Sequence, residues 1–252
     1  MAKFWRQKLI TPLAAVLIAL AAAGATYGIT AMATAQPPEP KPSTEQLYQQ
    51  AVQDAVWAEE DEIMPLVELT PLDKLVTWDE TYERVLLLSW HQYPESYPEG
   101  SKVTLQWGEV WTFTDREIKT WYQQHNSGVS NWTLRLEQLI GLPPDSGYTH
   151  ISAFWTKPED VIRPAYITDT TEQMTTQLTE GADAAYREWF DSNIIWSYFD
   201  SAYPWTRLGY TYDWADNGQE YGLSEFLIRQ GAEVEVAFTM TTEEFIDWLG
   251  EK

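Results

Sequence analysis

Residues 84–90 read RVLLLSW, an apolar run of strand length with no polar alternation. A strand wetted on one face alternates apolar and polar residues, so this run fits a strand covered on both faces. Around it the pattern is mixed. Lys102–Phe113 alternates well enough for a strand or hairpin, with Gly108 as a bulge or turn. Tyr148–Trp155, Arg207–Trp214 and Tyr221–Arg229 also read as strands, and Gln230-Gly231 signals a tight hairpin into Ala232–Phe238.

Helical signals fall between these runs. Thr114-x-x-Glu117 is a capping box opening a helix to about His125, and Trp132–Ile140 is stopped by Gly141 and the Pro143-Pro144 pair. Thr156 can cap a short helix with Pro158 in its first turn. Asp183–Phe199 carries Tyr186, Trp189, Phe190, Ile194 and Tyr198 near helical spacing, and Thr242 caps Glu243–Leu249. Strands and helices mix without strict βαβ order. The expected fold is therefore α+β, a mainly antiparallel sheet with packed helices, forming a single globular domain over 65–252.

Ahead of that domain stand three further segments. Lys3, Arg6 and Lys8 precede an uncharged run from Leu9 to Ala35 that ends in Ala33-Thr34-Ala35. This is the pattern of a signal peptide or membrane anchor. Either reading sends the following domain out of the cytoplasm, periplasmic, cell-surface or secreted, with the positive start left inside. A proline-rich spacer (36–43) follows, then an N-terminal helical segment (44–64). In that segment Ser43 and Gln46 form a capping box, and Leu47, Ala51 and Ala55 make a thin apolar stripe. The thin stripe reads as a loosely packed connector.

Charge bounds the partners. Of 16 basic residues three precede residue 36, leaving thirteen against 38 acids, a net charge near −25. Nucleic acid and anionic membrane surfaces need cationic patches and are excluded as partners. The membrane enters only through residues 9–35, if they are uncleaved. With no cysteine there is no disulfide framework. Fourteen tryptophans imply an aromatic core, with some left over as stacking platforms for sugar rings or other flat ligand faces.

The stretches SWHQYPESYPEG, RLEQLIGLPP, YPWTRLGYTYDW and YGLSEFLI resemble those of a family of exported bacterial proteins over roughly residues 78–248. No activity is attached to that family, so the resemblance carries over no catalytic role.

Site candidates follow from chemistry alone. His91 ends the apolar strand and leads a loop with Glu95, Glu99, Tyr93 and Tyr97. It is a catalytic candidate, or a loop anchor hydrogen-bonded under a tyrosine. His150 and Ser152 share a strand face. A metal site from His91, His150 and Glu109 or Asp115 is conceivable chemically, but no metal-binding spacing supports it, so neither metal nor cofactor is expected. No nucleophile elbow, phosphate loop or dinucleotide-binding glycine triplet is present.

What survives as enzyme chemistry is a carboxylate pair. Glu109, expected on one strand face with Trp107 and Trp111, would be the acid, and Asp213 between Tyr212 and Trp214 its partner. Scarce cations such as Arg207 go to an ion pair or to an anionic group. The favoured reading is a non-catalytic cell-envelope domain that binds a glycan, a peptide or an envelope protein. Its binding residues would be Trp90, His91, Tyr93, Tyr97, Trp205, Arg207, Tyr210 and Tyr212. The alternative is a small extracytoplasmic hydrolase.

Overall fold

The structure, a computed structural model, describes residues 41–200 and 202–251. The expected signal or anchor (1–35) and most of the proline-rich spacer lie outside the described residues. Among those described, no helix is long and apolar enough to cross a membrane.

Among the described residues five α-helices and nine strands run in the order α1 (Thr44–Asp54), β1 (Val85–His91), β2 (Lys102–Thr104), β3 (Val110–Thr114), α2 (Asp115–His125) and α3 (Trp132–Leu139), followed by β4 (His150–Thr156) and β5 (Val161–Ile162). The chain continues through α4 (Ala184–Ile195), β6 (Tyr210–Tyr212), β7 (Tyr221–Ser224), β8 (Phe226–Ile228), β9 (Glu233–Thr241) and α5 (Thr242–Gly250). Seven strands form one antiparallel sheet in the order β2-β9-β4-β1-β3-β8-β5, and β6 and β7 pair separately. The fold is α+β.

Strand β1 lies at the sheet centre and is buried along its whole length. Its side chains divide by parity, as a strand requires. Val85 and Leu87 enter a core with Phe154, Phe226, Val234 and Val236 on one face of the sheet. Leu86, Leu88 and Trp90 enter a second core with α2 (Ile118, Trp121), α3 (Leu136, Leu139) and α5 (Phe245, Leu249). Two cores on two faces are the physical reason for the unalternated RVLLLSW.

Local signals held where the partner was local. Ser43 and Gln46 do close a capping box on α1. The helix ends at Asp54, well short of residue 64 where the expected helical segment closed, and its stripe, joined by Tyr48, packs against Tyr212 and Trp214. It is therefore part of the domain's packing and not a loose connector. The cap of α5 is Thr241, one residue before the expected Thr242, because Thr241 reaches Glu244 N and its own N–H reaches the Glu244 carboxylate.

Three local readings fail, each because a distant partner wins. Lys102–Phe113 is no hairpin: β2 pairs with β9, while β3 pairs with β1 and β8. Gln230-Gly231 joins no hairpin either, since β8 sits between β3 and β5 and β9 between β2 and β4. The Thr114 capping box does not close. Its Glu117 instead accepts hydrogen bonds from the Ser224 N–H and hydroxyl (both 2.9 Å) and from the Tyr221 hydroxyl (3.2 Å), buried beneath β7.

Candidate functional site: an aromatic cavity in a split sheet

The β1–β3 ladder stops early. Leu87 faces Thr114 and Leu88 faces Phe113, and pairing then ends. Continuing that register would set Ser89, Trp90 and His91 opposite Thr112, Trp111 and Val110. Those β3 residues instead turn to β8, where Val110 faces Ile228 and Thr112 faces Phe226. The two central strands thus part like a fork. A cavity of about 480 Å³ lies there, lined by the parted residues of both strands. Ile140–Leu142, Trp196, Tyr203–Trp205, β6 and Glu225 contribute to the rest of its wall, with Tyr97, Glu109, Tyr148 and Asn193.

Aromatic side chains supply ten of the twenty-three lining residues. Trp205 is buried, donates its indole N–H to Pro164 O (2.9 Å), and packs edge-on to Trp111 with centroids 6.4 Å apart. Trp90 stands edge-on to Tyr148 and is fixed by a 3.0 Å bond to the Thr242 hydroxyl. Trp196, 61 % exposed, and Tyr203, 38 % exposed, are the lining aromatics nearest solvent. Two carboxylates face the same space. Glu109 accepts the Trp189 indole N–H at 2.7 Å. Among the described residues Glu225 has neither a hydrogen bond to its carboxylate nor an ion pair, and burial alone pushes it up to about 8.

Of the binding candidates, Trp90, His91, Tyr97, Trp205, Tyr210 and Tyr212 converge on this cavity, although they come from segments more than a hundred residues apart. Tyr93 and Arg207 do not line it. Tyr93 is exposed beside Gln92. The Arg207 guanidinium donates to Ala55 O and Val56 O (3.1 and 2.6 Å), just past the end of α1, and lies near the Tyr166 and Tyr198 rings.

His91 lines the cavity, but both its ring nitrogens are engaged. Nδ1 accepts the Tyr93 N–H (3.0 Å), so Nε2 carries the proton and donates to Ser152 Oγ (2.8 Å). Ser152 then donates to Thr239, and Thr239 to Tyr97 O. Burial, then the nearby His150, lowers the imidazole to about 4 and keeps it neutral. With Tyr97 edge-on at 5.0 Å, His91 is a loop anchor and not a base.

The expected Glu109–Asp213 pair does not form. Asp213 is buried away from the cavity, where both carboxylate oxygens hold Arg135 (3.0 and 2.5 Å). Nor do Trp107 and Trp111 flank Glu109 on one face. Gly108 takes φ +143°, strand geometry starts only at Val110, and Trp107 is 99 % exposed. The set of His91, His150 and Glu109 or Asp115 is not brought together either: among the described residues its ligand atoms do not converge, and Asp115 accepts the Thr77 N–H and hydroxyl. The carboxylates of Asp54, Glu62 and Glu220 do lie within 4.8 Å of one another and could hold a cation. Burial and then Asp54's charge raise Glu220, while Tyr212 donates to Asp54 at 2.9 Å.

Glu225 escaped the sequence reading. Its signal was an acid interrupting Leu223-Ser-Glu-Phe-Leu-Ile, at the single residue between β7 and β8 where the chain changes sheets.

Its titration gives a testable pH dependence. Glu225 at about 8 and Glu117, raised by burial to about 7, both lie above the ordinary 4.5 of an unfolded Glu. Between those values the folded state binds more protons than the unfolded one. The stabilisation is full below pH 4.5 and is lost as pH rises through 7–8, each group contributing a slope of at most about 1.4 kcal/mol per pH unit. Urea unfolding at pH 5, 6.5 and 8 should show this fall, and Glu225→Gln should flatten it. An undiminished slope in that variant would refute the assignment.

No family model, curated protein or solved structure matches the chain.

Proposed function

We propose that this chain is an extracytoplasmic domain that binds a small ligand with flat or compact apolar faces in the aromatic cavity, without turning it over. One observation carries the reading: the forked sheet gathers Trp90, Trp111, Trp205, Tyr97 and Tyr148 around a space of ligand size. The positive start, the uncharged run and the resemblance to exported bacterial proteins support the location.

The second reading, a hydrolase, no longer has Asp213. It draws on Glu109 and Glu225, which face one cavity, with Glu225 holding its proton as a general acid must. Titrating the protein with mono- and disaccharides, short peptides and amines while following tryptophan fluorescence separates the two. A stable, saturable shift indicates a binder, and one that decays as ligand is consumed indicates turnover. Asn193→Trp at the cavity wall should weaken any such shift at least about tenfold by filling the space. No saturable response to any compound would sink the cavity reading.

A further inference from the structure

The charge of the cavity narrows the ligand, on the premise that the cavity is a binding site. Among the described residues its charged lining side chains are Glu109 and Glu225, and no lysine or arginine lines it. Nearby cations are turned elsewhere: Arg207 to the end of α1, Arg135 to Asp213, and Arg163 to Val67 O and Thr170 O. His91, the remaining basic group in the wall, is neutral and fully hydrogen-bonded. An acid without a counter-charge and a wall with ten aromatic side chains, whose π-systems are negative at the ring centre, are two independent features that favour positive charge.

We propose that the cavity selects an organic cation, a trimethylammonium or protonated-amine head seated on the aromatic faces with the Glu225 carboxylate as its counter-ion. Aromatic carbon cannot replace the water ligands of a hydrated divalent ion, whereas a weakly hydrated organic cation loses little on leaving water. Anions meet the Glu109 carboxylate and find no cationic side chain among the described lining residues, so they are rejected. A neutral sugar can stack, but it gains nothing from Glu225's charge.

Linkage adds a signature. The other titratable groups in the wall are Glu109, His91 and the phenols of Tyr97, Tyr148, Tyr203, Tyr210 and Tyr212. Of these His91 titrates too low to respond near neutral pH, and burial raises Tyr97, Tyr148, Tyr210 and Tyr212 above their ordinary range. Glu225 holds a proton in the empty site at pH 7 and gives it up when a cation arrives, so binding should release a proton.

The test is calorimetry on the full-length protein at pH 7, in two buffers of different ionisation enthalpy. The ligands are choline, its uncharged isostere 3,3-dimethylbutan-1-ol, and phosphocholine, which carries the same head as a lipid would present it. Choline should bind at least about tenfold tighter than the isostere and tighter than phosphocholine, with proton release. Glu225→Gln should weaken choline about tenfold, abolish the proton release and leave the isostere unchanged. Equal affinity for choline and the isostere, tighter binding of phosphocholine, or indifference to Glu225→Gln would each overturn the proposal. If a neutral compound binds at the cavity and choline does not, the cation inference alone falls. If nothing binds, the cavity reading falls with it.

Discussion

Asp213→Ala should cost the domain about 3–5 kcal/mol of stability. Asp213 is almost wholly buried and takes two hydrogen bonds from Arg135, one from the Ala215 N–H and one from the Asn217 amide. Arg135 is itself largely covered, with its guanidinium over the Trp121 ring at 4.6 Å. Deleting the carboxylate leaves that cation buried without a counter-charge, and uncompensated burial, more than the lost attraction, sets the cost. The double variant Arg135→Met/Asp213→Leu removes both charges and should recover much of the loss. Urea unfolding of both variants checks this. A single variant within about 1 kcal/mol of the parent would mean that water reaches Arg135, and the pair would then be an ordinary surface bridge.

Gly222→Ala should be comparably severe, on the order of 4 kcal/mol, or a fall in melting temperature of roughly 10 °C. Gly222 lies in β7 at an irregularity where Tyr210 faces Ser224 but Tyr212 faces Tyr221, so the two strands are out of step by one residue. A Cβ there would stand 2.3 Å from Leu139 O, 2.3 Å from Thr211 Oγ1 and 2.5 Å from Thr211 O. None of these can yield cheaply. Two are backbone carbonyls, and the hydroxyl is fixed between Leu139 O (2.7 Å) and the Leu223 N–H (2.8 Å). The methyl must push α3 away from β6, and β6 carries Tyr210–Tyr212 in the cavity wall. Ligand response should fall together with stability. A Gly222→Ala protein melting within a few degrees of the parent would show that the bulge relaxes.

The proposed site has the same origin as these sensitivities. The cavity exists because β3 leaves β1 after Leu88–Phe113 to pair with β8, and the packing of β6, β7 and α3 closes the wall opposite. Changes that shift this packing should therefore reach the cavity without touching its lining.

The sequence by itself determined what depends on near neighbours along the chain. The apolar run at 84–90 set a strand with two covered faces, Ser43 and Gln46 set the start of α1, and the mixed order of elements set an α+β fold. It also picked out the aromatic segments around Trp90 and Trp205 that meet in the cavity. The tertiary structure alone decided which acids meet which partners. Asp213 and Glu109 look alike in sequence, each an acid within two residues of a tryptophan. One is neutralised by Arg135, 78 positions away, and the other faces a cavity made by a register that stops short. Glu117 left its capping box for Ser224, 107 positions on. A buried charge takes whichever partner folding brings within about 3 Å, and side-chain spacing along one strand or helix holds no record of contacts made across the sheet.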